Sequence, residues 1–334
     1  MEHFGTMPDG TEVGRVSLNG GGLSASFLTY GTVLQDLRLE GHPEALVLGF
    51  ESFDPYLTKS PYFGATAGRC ANRIRDGHLE IDGTSHQLDL NFLGKHSLHG
   101  GAVSMGKKCW AVLDVSDNTV VFEIVLGDGE MGYPGALRAQ ARFSLLSDGV
   151  LDIEYTATSD APTVCNLAHH SYFNLDGSAT ILDHVLQVSA DHYLPVDDEL
   201  IPTGELRAVA GTAFDFRTPA PIAQASRAGL VDHNFCLSSE RQSLREVAFL
   251  RSSASGVTMR CATTEAGLQV YDGAKINIDH PGLSGMDMKA NAGVALEPQV
   301  WPDALHHAGF PSPLLRPGET YRQKTQFTFE LEKS

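Results

Sequence analysis

Apolar and polar residues alternate one for one over long stretches of this chain, and that period of two restricts its fold more than any other feature. In 137–145, Leu137, Ala139, Ala141, Phe143 and Leu145 fall on one side, opposite Arg138, Gln140, Arg142 and Ser144. The same pattern recurs in 150–156, where Leu151, Ile153 and Tyr155 oppose Asp152 and Glu154, and in 322–331 through Phe327, Phe329 and Leu331. Strands are also expected near 11–18, 22–29, 33–39, 110–115, 119–126, 185–190 and 257–263. The dipeptides Asp9-Gly10, Asn19-Gly20, Asp76-Gly77, Asp82-Gly83 and Asp272-Gly273 supply the positive-φ positions that hairpins need. Helical spacing is confined to short pieces at 51–58 and 219–228. With no βαβ alternation, linker or repeat, the reading is all-β: one domain over 1–334, built as a large antiparallel β-sandwich.

Charge and composition exclude several functions. Apolar residues make up 42% of the 334 residues, enough for a packed core, and 41 acidic against 24 basic side chains give a formal net charge of −17. The scattered Arg and Lys form no stripe to neutralise phosphates, so nucleic acid is not an expected partner. The opening MEHFGTMPDGTEV has neither a basic nor an apolar leader region, and no apolar run reaches bilayer length, so the expectation is a cytoplasmic protein with no membrane partner. Cys70, Cys109, Cys165, Cys236 and Cys261 are far apart and form no CxxC pair, which fits reduced packing residues. Cys70 alone, inside a polar motif, has any claim to reactivity.

Several segments break the alternation and gather polar groups: Gly68-Arg69-Cys70-Ala71-Asn72-Arg73-Ile74, Ser97-Leu98-His99-Gly100-Gly101, His169-His170-Ser171-Tyr172-Phe173-Asn174-Leu175, Val231-Asp232-His233-Asn234-Phe235, Gly267-Leu268-Gln269-Val270-Tyr271 and Leu296-Glu297-Pro298-Gln299-Val300-Trp301-Pro302. Taken singly each has a bland reading: His99 as a turn residue, His170 as a satisfied core histidine, Asp232 as a loop cap. Glu297 is more informative, because it follows Gly293-Val294-Ala295-Leu296 and precedes Pro298 and Trp301, a setting that desolvates a carboxylate and raises its pKa. The spacings His96-x-x-His99 and His169-His170 lack the further ligands a metal centre requires. Dinucleotide, nucleoside triphosphate and nucleophile-elbow motifs are missing as well, so no cofactor is expected.

Together and in this order, the motifs GRCANRI, LHGG, HHSYFNL, DHNF, LQVY and LEPQVWPDA resemble those of the aldose 1-epimerases, also called galactose mutarotases, with the likeness running from Gly5 to Phe329. The resemblance implies the family's galactose mutarotase-like supersandwich, an open sugar cleft, and a free aldose as substrate. By motif position it makes His170 the general acid and Glu297 the general base, with Asn72, Arg73, His99, Asp232 and Gln269 lining the sugar. Tyr172, Phe173 or Trp301 are candidates to cover the apolar face of the pyranose. Mutarotation removes the proton of the anomeric hydroxyl and delivers one to the ring oxygen, a task for paired acid and base that needs neither hydride nor metal.

One departure follows LQVY, where Asp272-Gly273-Ala274-Lys275 replaces the family's more usual Thr-Gly-Asn, and the Gly- and Asp-rich 276–291 segment reads as a mobile loop bordering the cleft. Three other functions compete. A hexose-6-phosphate epimerase would need a basic cluster for the dianion. A sugar-binding module without chemistry has no use for both His170 and Glu297. A glycoside hydrolase would pair Glu297 with Asp232 and leave the imidazole unexplained. A monomer and a homodimer are equally compatible with the sequence.

Overall fold

The computed structural model describes residues 1–332. Its ladders are antiparallel and fall mainly into three sheets of nine, six and four strands. The nine-stranded sheet runs, in spatial order, Ala111–Val115, Thr119–Leu126, Leu137–Leu146, Val150–Ser159, Tyr321–Leu331, Val257–Thr263, Arg245–Arg251, Val185–Val188 and Ala220–Pro221. The C-terminal strand therefore sits in its middle, paired on both sides. The six-stranded sheet orders Tyr172–Phe173, Val294–Gln299, Gly267–Tyr271, Asp232–Cys236, His192–Tyr193 and Arg207–Ala208. Glu2–Thr6, Glu12–Gly20, Leu23–Leu28 and Leu34–Leu39 form a four-stranded meander.

The alternation read from the sequence is what joins these layers. Leu137, Ala139, Ala141, Phe143 and Leu145 are all buried, and they share one apolar cluster with Leu151, Ile153, Phe327 and Phe329 of the neighbouring strands. Phe235, Leu268, Val270, Val294 and Leu296 of the six-stranded sheet enter the same cluster, as do Val16, Leu18, Phe27 and Leu37 of the meander. Phe143 lies at the junction: its ring centroid is 4.6 Å from Phe27, 6.1 Å from Phe122 and 6.0 Å from the imidazole of His169. One face of the six-stranded sheet is thus committed to the core, and by the pleat its other face is free to carry polar side chains.

Most expected strands stand within a few residues of their predicted limits, including Thr119–Leu126 and Val257–Thr263. The helical pieces shrink to Asp54–Thr58 and Ala223–Ser226. Asn19-Gly20 is not a turn. Both residues are inside a strand, Gly20 opposite Leu23, and the positive φ falls on Gly21 and Gly22, because continued pairing carries the strand two residues further before it reverses. The 276–291 segment, whose composition predicts a mobile loop, is instead packed. Ile276, Ile278, Leu283 and Met288 are buried in a second apolar cluster or beside it, and Leu283 donates its N–H to the Gly49 carbonyl at 3.0 Å. Four buried side chains at irregular intervals anchor it without producing a period.

Because Phe143 bridges two sheets, Phe143→Ala is expected to destabilise the fold by about 3–5 kcal/mol, read as a lower midpoint in urea denaturation with little change in slope. A loss below about 1 kcal/mol would contradict this view of the core.

Candidate active site

The polar face of the six-stranded sheet is written by its register. Asn234 pairs with Gln269 and Gln269 with Glu297, so these three side chains form one row across three strands. Asp232 pairs with Tyr271, Tyr271 with Ala295 and Ala295 with Tyr172, which makes the next row. Between the rows Gln269 donates to Asp232 Oδ1 at 2.6 Å. Close passage of the strands requires Gly267, since a Cβ there would lie 2.4 Å from the Asn234 side-chain oxygen.

Irregular chain faces this sheet. Arg73 and Ile74 pair with Ser97 and Leu98, bringing the GRCANRI and LHGG motifs together. Gly100 permits the contact, with φ +87° and a Cβ position only 2.0 Å from the Gly68 carbonyl oxygen. Asn72 and His99 both adopt positive φ, 65° and 50°; the Asn72 side chain offsets part of that strain by accepting the Arg73 N–H at 2.8 Å. The Arg73 guanidinium reaches across to Asp232 Oδ2 at 3.0 Å and lies over the Phe92 ring, 4.8 Å from its centroid. Arg69 of the same motif turns away, buried, and donates to the carbonyls of Pro134, Gly135 and Gly127.

The histidine pair divides by alternation. His169 points into the core, bonded to Ser171 Oγ at 2.7 Å. His170 points into the cleft, where its Nε2 stands 3.5 Å from Glu297 Oε2. The bland reading of a core histidine therefore belongs to His169. His99, His170 and Glu297 each offer an atom within 4.8 Å of the others, so all seven residues named from the sequence meet in one place.

Burial sets the protonation of this cluster. It pushes the His170 imidazole down to about 4 and the Glu297 carboxyl well above its ordinary value. His99 is held well below 6.5 by burial and by the nearby His170, Arg73 and Lys107. The direction for Glu297 is the one its apolar flanks led us to expect. An imidazolium at His170, by contrast, is opposed by burial: desolvation favours imidazole with carboxylic acid over imidazolium with carboxylate, two arrangements that carry the same single proton. Four polar atoms in the cleft, Arg73 Nε, His170 Nδ1, Gln269 Oε1 and Glu297 Oε2, are buried without a hydrogen-bond partner. Unsatisfied groups converging in this way are costly unless a ligand completes them.

Three clustered ligand atoms raise the question of a metal. The Asn72 N–H donates to His99 Nδ1 at 3.1 Å, so the neutral imidazole carries its hydrogen on Nε2. A metal at Nε2 would force the other tautomer and set two N–H groups against each other, so the site fits hydrogen-bond donation better than ligation.

Other sequence readings resolve by position. Phe173 and Trp301 are buried away from the cleft, Phe173 in the main core and Trp301 against Phe310. Tyr172 stays, its ring 5.1 Å from His170. Cys70 is buried with its thiol pushed up to about 12, which removes its claim to reactivity. Sequence reasoning missed Tyr62, whose ring lies 4.8 Å from His99 and 6.0 Å from His170. It sits in a short irregular Ser-Pro-Tyr-Phe-Gly stretch with no polar cluster to mark it.

A family model described as aldose 1-epimerase matches residues 14–328. The galactose mutarotase of Rattus norvegicus is 40% identical over 337 residues, covering 98% of this chain and 97% of that protein. The aldose 1-epimerase of Escherichia coli (strain K12) is 33% identical, covering 97% of each. Among solved structures, a GalM/aldose epimerase homologue from C. elegans superposes with a TM-score of 0.90 at 30% identity, over 96% of this chain and 100% of that one.

The buried Glu297 carboxyl carries a cost in stability. In the unfolded chain it ionises from about pH 4.5 upward, whereas in the folded protein ionisation is resisted, so stability falls as pH rises through the higher folded value. Glu297→Gln is expected to equal or exceed the parent's melting temperature near neutrality, with the difference widening from pH 6 to pH 9 toward about 1 kcal/mol or more. A variant less stable at pH 9 than the parent would contradict the desolvation argument.

Proposed function

The chain belongs to the aldose 1-epimerase family, and from that premise we propose how its own residues interconvert the α and β anomers of a free aldose such as galactose or glucose. It is an isomerase acting on carbohydrates. The observation that carries the residue assignment is the 3.5 Å approach of His170 to Glu297. The anomeric hydroxyl and the ring oxygen are bonded to the same carbon, so an acid and a base that serve both must converge this closely.

The ionised tautomer of the pair does the work. An entering sugar donates its anomeric hydroxyl to Glu297 and accepts at its ring oxygen from His170, interactions that favour carboxylate and imidazolium over the resting neutral forms. Glu297 takes the proton from the anomeric oxygen, the electron pair left behind forms the aldehyde C=O, and the C1–O5 bond breaks as His170 protonates the ring oxygen. Rotation about C1–C2 presents the other face of the aldehyde. Reclosure reverses each transfer and returns both protons to where they began, so the cycle is balanced. Positioned proton transfer of this kind contributes typically about 10²–10⁴-fold per group.

The remaining residues bind and orient. His99, held as an Nε2–H donor, and Arg73 donate to sugar oxygens that gain charge as the ring opens. Asp232 and Gln269, tied to Arg73 and to each other, fix the hydroxyls. Asn72 holds the tautomer of His99 and the turn that aims it. Tyr172 offers the apolar ring face a partner. We further read the whole chain as one domain acting on a small sugar in the cytoplasm, as monomer or homodimer, without a nucleic acid or membrane partner; its acidic balance supports the absence of nucleic acid.

Glu297→Gln and His170→Asn are each expected to lower kcat for galactose by about 10² or more while the protein stays folded, measured by polarimetry on freshly dissolved α-galactose. Wild-type turnover in both variants would overturn the assignment. Preference for glucose 6-phosphate over glucose in the same assay would overturn the free-aldose reading.

A further inference from the structure

The wall of the cleft around Tyr62 holds a charge that the mutarotation of a neutral sugar does not use. Lys107 ends the short 3₁₀ turn Met105–Lys107 that follows the LHGG motif. It is half-buried, and its ammonium stands 5.2 Å from the centroid of the Tyr62 ring, the ring that on its own account contacts His99 and His170. Among the described residues no carboxylate comes within ion-pair distance of it, whereas the other cations of this region are committed: Lys108 to Glu130 and Arg73 to Asp232. In a chain of net charge −17, this desolvated ammonium, one aromatic ring away from the acid and base, feels the Asp89 carboxylate only from beyond ion-pair distance, and a ligand carboxylate would complete it.

We propose that the cleft also accepts aldoses carrying a single negative charge at the end remote from the anomeric carbon, the hexuronic acids, with Lys107 receiving their carboxylate. The chemistry at C1 is unchanged, since a C6 carboxylate leaves the anomeric hydroxyl and ring oxygen as they are in galactose, and it is ionised at neutral pH. One free ammonium matches one carboxylate charge. A phosphate dianion would call for a second cation, and Lys108 and Arg73 are already paired with Glu130 and Asp232. The Tyr62 hydroxyl is buried beside that of Ser104 in the same wall as Lys107.

This inference rests on the mutarotase reading, and one set of measurements separates the two. Anomer exchange of galacturonate and of galactose is followed by NMR in the same preparation, for the wild type and for Lys107→Met. Wild-type protein is expected to turn over both sugars, with the ratio of kcat/KM for galacturonate to that for galactose falling roughly 10- to 100-fold in Lys107→Met, and being recovered in large part by Lys107→Arg. In the wild type the same ratio is expected to fall as salt is raised from low to high ionic strength, a readout that stands even where the variant fails to fold. Galactose turnover without galacturonate turnover, a ratio unmoved by Lys107→Met, or a ratio flat with salt would each overturn the proposal. Failure on galactose itself would sink the mutarotase reading and this proposal with it.

Discussion

A carboxyl and an imidazole, both taken out of water and set 3.5 Å apart, are what the rest of this structure is arranged to hold. Neither group would stay there on its own terms, because desolvation pushes Glu297 toward its acid and His170 toward its free base. The two pushes are complementary: both favour a shared proton resting on Glu297 rather than on His170. The unmatched atoms of Arg73, Gln269, His170 and Glu297 show the same expense from the hydrogen-bonding side.

The sandwich tolerates that expense because only one face of one sheet is exposed to it. Leu268, Val270, Val294 and Leu296 fasten the six-stranded sheet to the nine-stranded one, and the residues next to them in the strands, Gln269 and Glu297 among them, are thereby turned to the cleft. A slip of one residue in any of these ladders would bury the polar set in the core and expose the apolar one, so packing and catalysis fix the same register. The opposite wall is fixed differently, by positive-φ turns at Asn72, His99 and Gly100 whose hydrogen bonds decide a tautomer as well as a position.

These two modes of construction explain what could be read from the chain and what could not. Strands such as Leu137–Leu146 and Val257–Thr263 were legible because alternation is a direct image of a two-faced sheet. Glu297 was legible because its apolar flanks already announced a buried carboxyl. The division of labour between His169 and His170 was legible only through the family motif, since adjacent residues share every local signal and only the pleat sends one inward and the other to the cleft. Tyr62 and Lys107 reach the site through tertiary contacts made by irregular chain, which has no period to betray it. The 276–291 segment misled for a related reason: its Gly and Asp speak for mobility, while its few buried anchors are spaced by the cavity they fill. The family motifs supplied the roles of these residues; the alternation supplied the frame.

The account turns on a proton that sits on Glu297 when the cleft is empty and on His170 when sugar is bound. The ¹⁵N chemical shifts of the His170 ring, recorded at neutral pH with and without saturating galactose, report that charge directly. We expect a neutral imidazole in the free protein and a displacement toward imidazolium in the complex. Shifts that stay those of a neutral ring in both states would contradict the proton transfer on which the proposed cycle depends.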